Sequence, residues 1–185
     1  MNKIKTYLKV TLILFCTSGY TRAQCEVFKS EIQDVQSYML QMRQLTDSLH
    51  TASEIAAFGA QLGTVRSNTK EVKLLLGKAL TAADEAVTLV SEAQYESERC
   101  GLAEAMSYTI DAESHTIDAR DFASEAFDNV KLASTAKNLG NLQYHMRMAQ
   151  RLIREAQGAA DAAAYAAEFA HYSCSHDKYH AQADK

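Results

Sequence analysis

The sequence predicts an all-α protein, an up-down-up-down antiparallel four-helix bundle with alanine-rich heptad seams. Three observations predict it. The 185 residues contain no proline and only seven glycines, so little interrupts long helices. Small and apolar residues recur at alternating steps of four and three, the spacing of a seam between helices packed at shallow angles. Three cysteines, Cys25, Cys100 and Cys174, stand 75 and 74 residues apart, which puts each of them at the same pole of such a bundle.

The chain opens with the pattern of an export signal, residues 1–23. Lys3, Lys5 and Lys9 form a basic region, Val10 to Cys16 a short apolar run, and Thr21-Arg22-Ala23 a small-residue cleavage pattern that would leave Gln24 as the first mature residue. The apolar run is too short to span a bilayer, which needs about 20 residues, so no stable membrane span is expected after cleavage. The residues before Cys25 (Arg22, Ala23, Gln24) are a poor match to a lipoprotein signal. The expected location is therefore periplasmic or extracellular.

Residues 24–174 carry the bundle. The first helix, over about 26–57, places Phe28, Ile32, Val35, Met39, Met42, Thr46 and Leu49 on one seam. Gly59 and Gly63 mark a break. Asn68 with Glu71 reads as a capping box opening a second helix to about 99, with Val72, Leu76, Ala79, Ala83, Ala86, Val90 and Ala93 inside. Gly101 separates it from a third, about 102–138, whose seam is Ala105, Thr109, Ala112, Thr116, Ala119, Ala123, Ala126, Val130 and Ala133. Lys137 and Gly140 close that helix, and Asn141 is placed to cap a fourth, about 142–173. Its seam is Leu142, Met146, Ala149, Ile153, Ala156, Ala160, Ala163, Ala167, Ala170 and Cys174. Each helix is about 50 Å long at 1.5 Å per residue. Residues 175–185 form a polar C-terminal tail.

Short connections make successive helices antiparallel. One disulfide among Cys25, Cys100 and Cys174 is then expected in an exported chain. Helices 2 and 4 are diagonal in a square bundle, which favours a pair involving Cys25 and leaves one thiol over.

Charge narrows the classes of function. The signal carries four basic residues and no acid, so cleavage leaves 15 basic against 23 acidic residues, a formal charge of −8. Such a chain lacks the clustered Lys and Arg that neutralise phosphates, which excludes nucleic acid and disfavours anionic membrane surfaces. No nucleophile elbow, Gly-rich phosphate loop or Cys-x-x-Cys is present, and no catalytic constellation emerges, so the chain reads as non-enzymatic and without a cofactor.

Two groups of residues compete as sites. Glu168 with His171, Asp47 with His50, and the stripe Asp111, His115, Asp118 have spacings found in di-metal bundles, but they lie at different heights or off the seams and read as solvated faces. At the C-terminal end, His171, Cys174, His176 and His180 combine imidazole and thiolate, the donors that zinc or copper favour. Metal binding there is the alternative function. The other group is apolar. Tyr165, Phe169 and Tyr172 recur at i, i+4 and i+7 opposite the alanine seam of helix 4, and Ile110 and Ile117 flank the seam of helix 3. Large stripes are usually buried, which favours reading them as core with the alanines turned outward or packed tightly on a neighbour. The alternative is an alanine-lined interior that leaves the large residues exposed to bind a protein partner or a second copy. The leading expectation is thus an exported binding or structural module acting through a helix face. A third is a membrane-active protein whose bundle opens to expose apolar surface.

Overall fold

A computed structural model describes residues 2–183, with side chains described for 25–174. Four helices make up the fold: α1 (Asn2–Phe58), α2 (Leu62–Cys100), α3 (Ala103–Thr135) and α4 (Leu139–Ala183). The helix α1 packs on α2 and α4, and α3 packs on the same two, so α1 faces α3 and α2 faces α4 across the diagonals of a square. This is the antiparallel four-helix bundle that the heptads predict.

Every seam position named from the heptad spacing is buried, from Phe28 in α1 to Cys174 in α4. The bulk is unevenly shared. α1 supplies Phe28, Ile32, Met39, Met42 and Leu49, whereas the facing seam of α3 is Ala and Thr up to Val130. Large side chains from one helix fill the space that small ones across the diagonal leave, so the interior reaches close packing without bulk on all four sides. The polar seam positions satisfy themselves: Thr69, Thr109 and Thr116 donate to the carbonyls of Val65, Ala105 and Ala112 at 2.7–2.8 Å. A hydroxyl returned to its own helix leaves none of these three donors unpaired in the core.

The breaks differ from the sequence expectation in instructive ways. α2 begins at Leu62, six residues before Asn68. Val65 and Thr69 are buried and extend the heptad backward, and Asn68 Nδ2 donates to the Thr64 carbonyl from inside the helix, so it caps nothing. α3 ends at Thr135, and α4 starts at Leu139 with Gly140 in its first turn. The cap there is Asn138, whose Oδ1 accepts the Asn141 N–H at 2.8 Å. Gly59 sits in a tight corner, since a Cβ would lie 2.6 Å from the Ile55 carbonyl oxygen. Its own carbonyl accepts Gln143 Nε2 at 2.7 Å, which ties the α1–α2 turn to α4. Gly101 adopts φ 65°, and the Gly101 and Leu102 N–H groups close on the carbonyls of Glu98 and Ser97. That left-handed cap turns the chain at the cysteine pole.

The backbone of α1 continues through the segment read as an export signal, and that of α4 through most of the polar tail. The side chains of both segments lie outside the described residues.

Candidate functional site

The alanine seams decide which residues reach the surface. Because Ala163, Ala167 and Ala170 take the inner positions of α4, its aromatic residues are turned out. Tyr165 is 64% exposed, Tyr172 59% and Phe169 36%. The first expectation for these stripes, that they form the core, is therefore corrected: the small residues are inside and the large ones outside.

The exposed set is regrouped by helix geometry. Tyr108 of α3, which the sequence reading passed over, packs its ring against Phe169 with centroids 5.5 Å apart, and Phe169 meets Tyr165 at 4.6 Å. The result is a ladder Tyr108–Phe169–Tyr165 bridging α3 and α4, continued along α4 by Tyr172. Ile110 and Ile117 do not join it. Tyr108 precedes the buried Thr109 and Ile110 follows it, which sets them about 200° apart on the helix. The Ile110 side is the α2 side, since Glu113, one turn on, accepts a hydrogen bond from Ser91 of α2. Ile110 is 43% exposed and Ile117 half-buried. A signal for Tyr108 was present: it stands one residue before a seam position, where a ring reaches across to a neighbouring helix.

At the opposite flank, α1 and α2 form a shallow acidic cleft of about 430 Å³ lined by Glu31, Ser91, Glu92, Tyr95 and Glu96. Burial, together with Glu92 and Glu96, raises the Glu31 carboxyl above its ordinary pKa. Arg99 answers part of this charge, bonding Glu96 Oε1 at 2.9 Å and lying over the Tyr95 ring at 5.3 Å.

The three cysteines meet at one pole. Cys25 and Cys174 are buried in a cluster with Phe28, Ala93, Leu102 and Ala170, and Cys100 packs against it half-buried. Burial pushes the Cys100 thiol up to about 12, reinforced by its hydrogen bond with Cys25 and by the charges of Cys25, Glu96 and Cys174.

The candidate metal residues are divided. His171 is half-buried beside the ring of Tyr172, with Nδ1 buried and without a hydrogen-bond partner, while Cys174 is in the core. The side chains of His176 and His180 lie outside the described residues. Among the described residues, no group of three or more His, Cys, Asp or Glu is arranged to hold a metal ion. Of the di-metal spacings, His50 turns to Glu54 at 3.8 Å and Asp47 takes Gln157 Nε2 of α4, both at the surface. Among the same residues, no helix is long and apolar enough to cross a membrane.

Compared with known proteins, the chain matches no family model, and no curated protein resembles it significantly.

Proposed function

We propose that this chain is an exported, non-enzymatic binding module that engages a protein through the aromatic face of α3 and α4. One observation carries the reading: Tyr165 and Tyr172 are exposed, and Tyr165 stacks through Phe169 onto the half-buried Tyr108, along a stretch of α3 and α4 whose inner positions, Ala105 to Ala126 and Ala156 to Ala170, are alanine and threonine. Clustered exposed aromatics give large contact area at low entropic cost, and Tyr adds a polar tip, which is the composition of binding hot spots. The first partner to test is a second copy of the chain.

Sedimentation velocity over a micromolar concentration series measures this. The wild type self-associates, and Tyr165→Ala combined with Phe169→Ala shifts it to monomer with the helical circular dichroism retained. A wild type that stays monomeric throughout removes self-association. A photo-crosslinking side chain at position 165 then reads out a different protein partner, and no specific adduct would end the proposal.

Metal binding at the C-terminal end keeps one observation in its favour, the unsatisfied Nδ1 of His171. Under that reading zinc added to the apo chain binds stoichiometrically, and a His171→Ala, His176→Ala, His180→Ala variant loses it. Equal metal content in the two chains rejects it.

A further inference from the structure

The cysteine pole holds chemistry that an interaction surface does not use. Three thiols from three helices, the start of α1, the end of α2 and the last core position of α4, are collected in one apolar cluster. Cys100 hydrogen-bonds Cys25. α1, which carries Cys25, is adjacent to the helices of both Cys100 and Cys174, whereas those two stand on helices that face each other across the diagonal. This leaves Cys25 as a member of the pair and its hydrogen bond to Cys100 as the contact that chooses the other. Cys100 is half-buried, Cys25 is 6% exposed and Cys174 is fully buried.

We infer that Cys25 and Cys100 are a disulfide pair that staples the start of α1 to the end of α2, with Cys174 outside the bridge. The staple sits where it has most to hold. Cys100 is the last residue of α2, one residue before the left-handed turn at Gly101, and the bridge closes a loop of 75 residues.

Exposure sets the order of steps. The Cys100 thiolate attacks one sulfur of an incoming disulfide, forming a mixed disulfide and expelling a thiolate that takes up a proton. The Cys25 thiolate then attacks the Cys100 sulfur, forming the Cys25–Cys100 bond and expelling the second thiol. Two protein thiols are oxidised and one external disulfide is reduced to two thiols. Burial that disfavours the Cys100 thiolate slows entry at neutral pH. It also makes Cys100 a poor leaving group, so the finished bridge resists exchange.

The test treats the reduced full-length chain with glutathione disulfide at pH 8, blocks remaining thiols with N-ethylmaleimide after unfolding, and maps peptides without reduction. The expected product is a linked Cys25–Cys100 peptide with Cys174 alkylated. Bridge formation quickens about tenfold per pH unit over the range where the thiolate is scarce. Reduction lowers the melting temperature by about 8–16 °C, the size expected for a loop of this length. Cys174→Ser keeps both the bridge and that difference, and Cys100→Ser loses both. A linked peptide containing Cys174, or three alkylated thiols after full equilibration with the oxidant, overturns the assignment. The wild-type peptide map decides even if a variant fails to fold.

Discussion

Exchanging a small inner residue for a large one, and a large outer residue for a small one, tests the central feature of this bundle. Ala119 is fully buried in the α3 seam, in a core cluster that includes Met42, Ala83 and Ala160. Leucine there adds three carbons where close packing leaves no room, and overpacking of this kind costs about 1–3 kcal/mol. Ile110 on the same helix is 43% exposed. Full burial of isoleucine is worth about 1.5–3 kcal/mol, so the buried half of this side chain contributes about 1–1.5 kcal/mol. The better helix propensity of alanine returns a few tenths of that. Ile110→Ala should therefore cost about 1 kcal/mol, and Ala119→Leu more. Urea unfolding followed by circular dichroism measures both, with the slope checked for constancy so that midpoint shifts report stability. An ordinary large-residue core gives the reverse order. A loss above 2 kcal/mol for Ile110→Ala beside a neutral Ala119→Leu would refute the alanine interior, and with it the reason for the exposed aromatic face.

Other outcomes follow from single residues. Met42→Ala, which empties a fully buried position of the large-residue helix, should lower stability by about 2–5 kcal/mol in the same assay. Gly101→Ala should cost about 1–2 kcal/mol, because nothing obstructs the new Cβ and only the φ of 65° opposes it; an unchanged urea midpoint would contradict the left-handed cap. Asn138→Ala should cost about 1 kcal/mol through the lost bond to the Asn141 N–H. Glu31 has its carboxyl pKa raised in the fold by burial and by Glu92 and Glu96, with Arg99 held on Glu96. The folded state then binds its proton more tightly than the unfolded one, so this contribution is fully present below pH 4.5 and is lost as pH rises through the folded value. Glu31→Gln should raise the urea midpoint at pH 7 and flatten its fall above pH 4.5; a lower midpoint at pH 7 would reverse the sign.

The interior of the fold was legible in the sequence because the heptad spacing needs no tertiary context to be read. Positions such as Thr109 and Thr116, polar by type, were placed inside by spacing alone, and the structure buries both. The starts of helices were less legible. Asn68 and Asn141 are good caps locally, but Val65 and Leu139 stand before them and pack on the core, and that burial starts the helices ahead of both signals. The surface was read least well. Tyr165 and Phe169 were visible as a stripe, yet Tyr108 joins them only through the rotation of α3 against α4, which a pattern along one helix does not contain. The same rotation takes Ile110 and Ile117 away toward α2. The meeting of Cys25 and Cys100 could be anticipated from topology, whereas the acidic cleft beside them depends on which carboxylates α1 and α2 bring face to face.

The alanine interior and the aromatic exterior have one cause. A seam built of Ala and Thr lets α3 approach α4 closely, but it contributes less burial per residue than leucine would, since stabilisation scales with the apolar area removed from water. α1 supplies much of the missing bulk from across the diagonal, and the space is then full. Phe169 and Tyr165 of α4 have no inner position left to occupy, so they stack at the surface with the half-buried Tyr108 of α3. Stability alone does not require them there, because polar residues at Tyr165 and Tyr172 would keep the seam intact and improve solubility. Their presence is better explained by something that covers them. Tyr165→Ser with Tyr172→Ser separates the two accounts. If these rings serve the fold, the urea midpoint falls clearly. If they serve a partner, the midpoint stays within about 1 kcal/mol of the wild type, as surface substitutions do, while association at the α3–α4 face is lost.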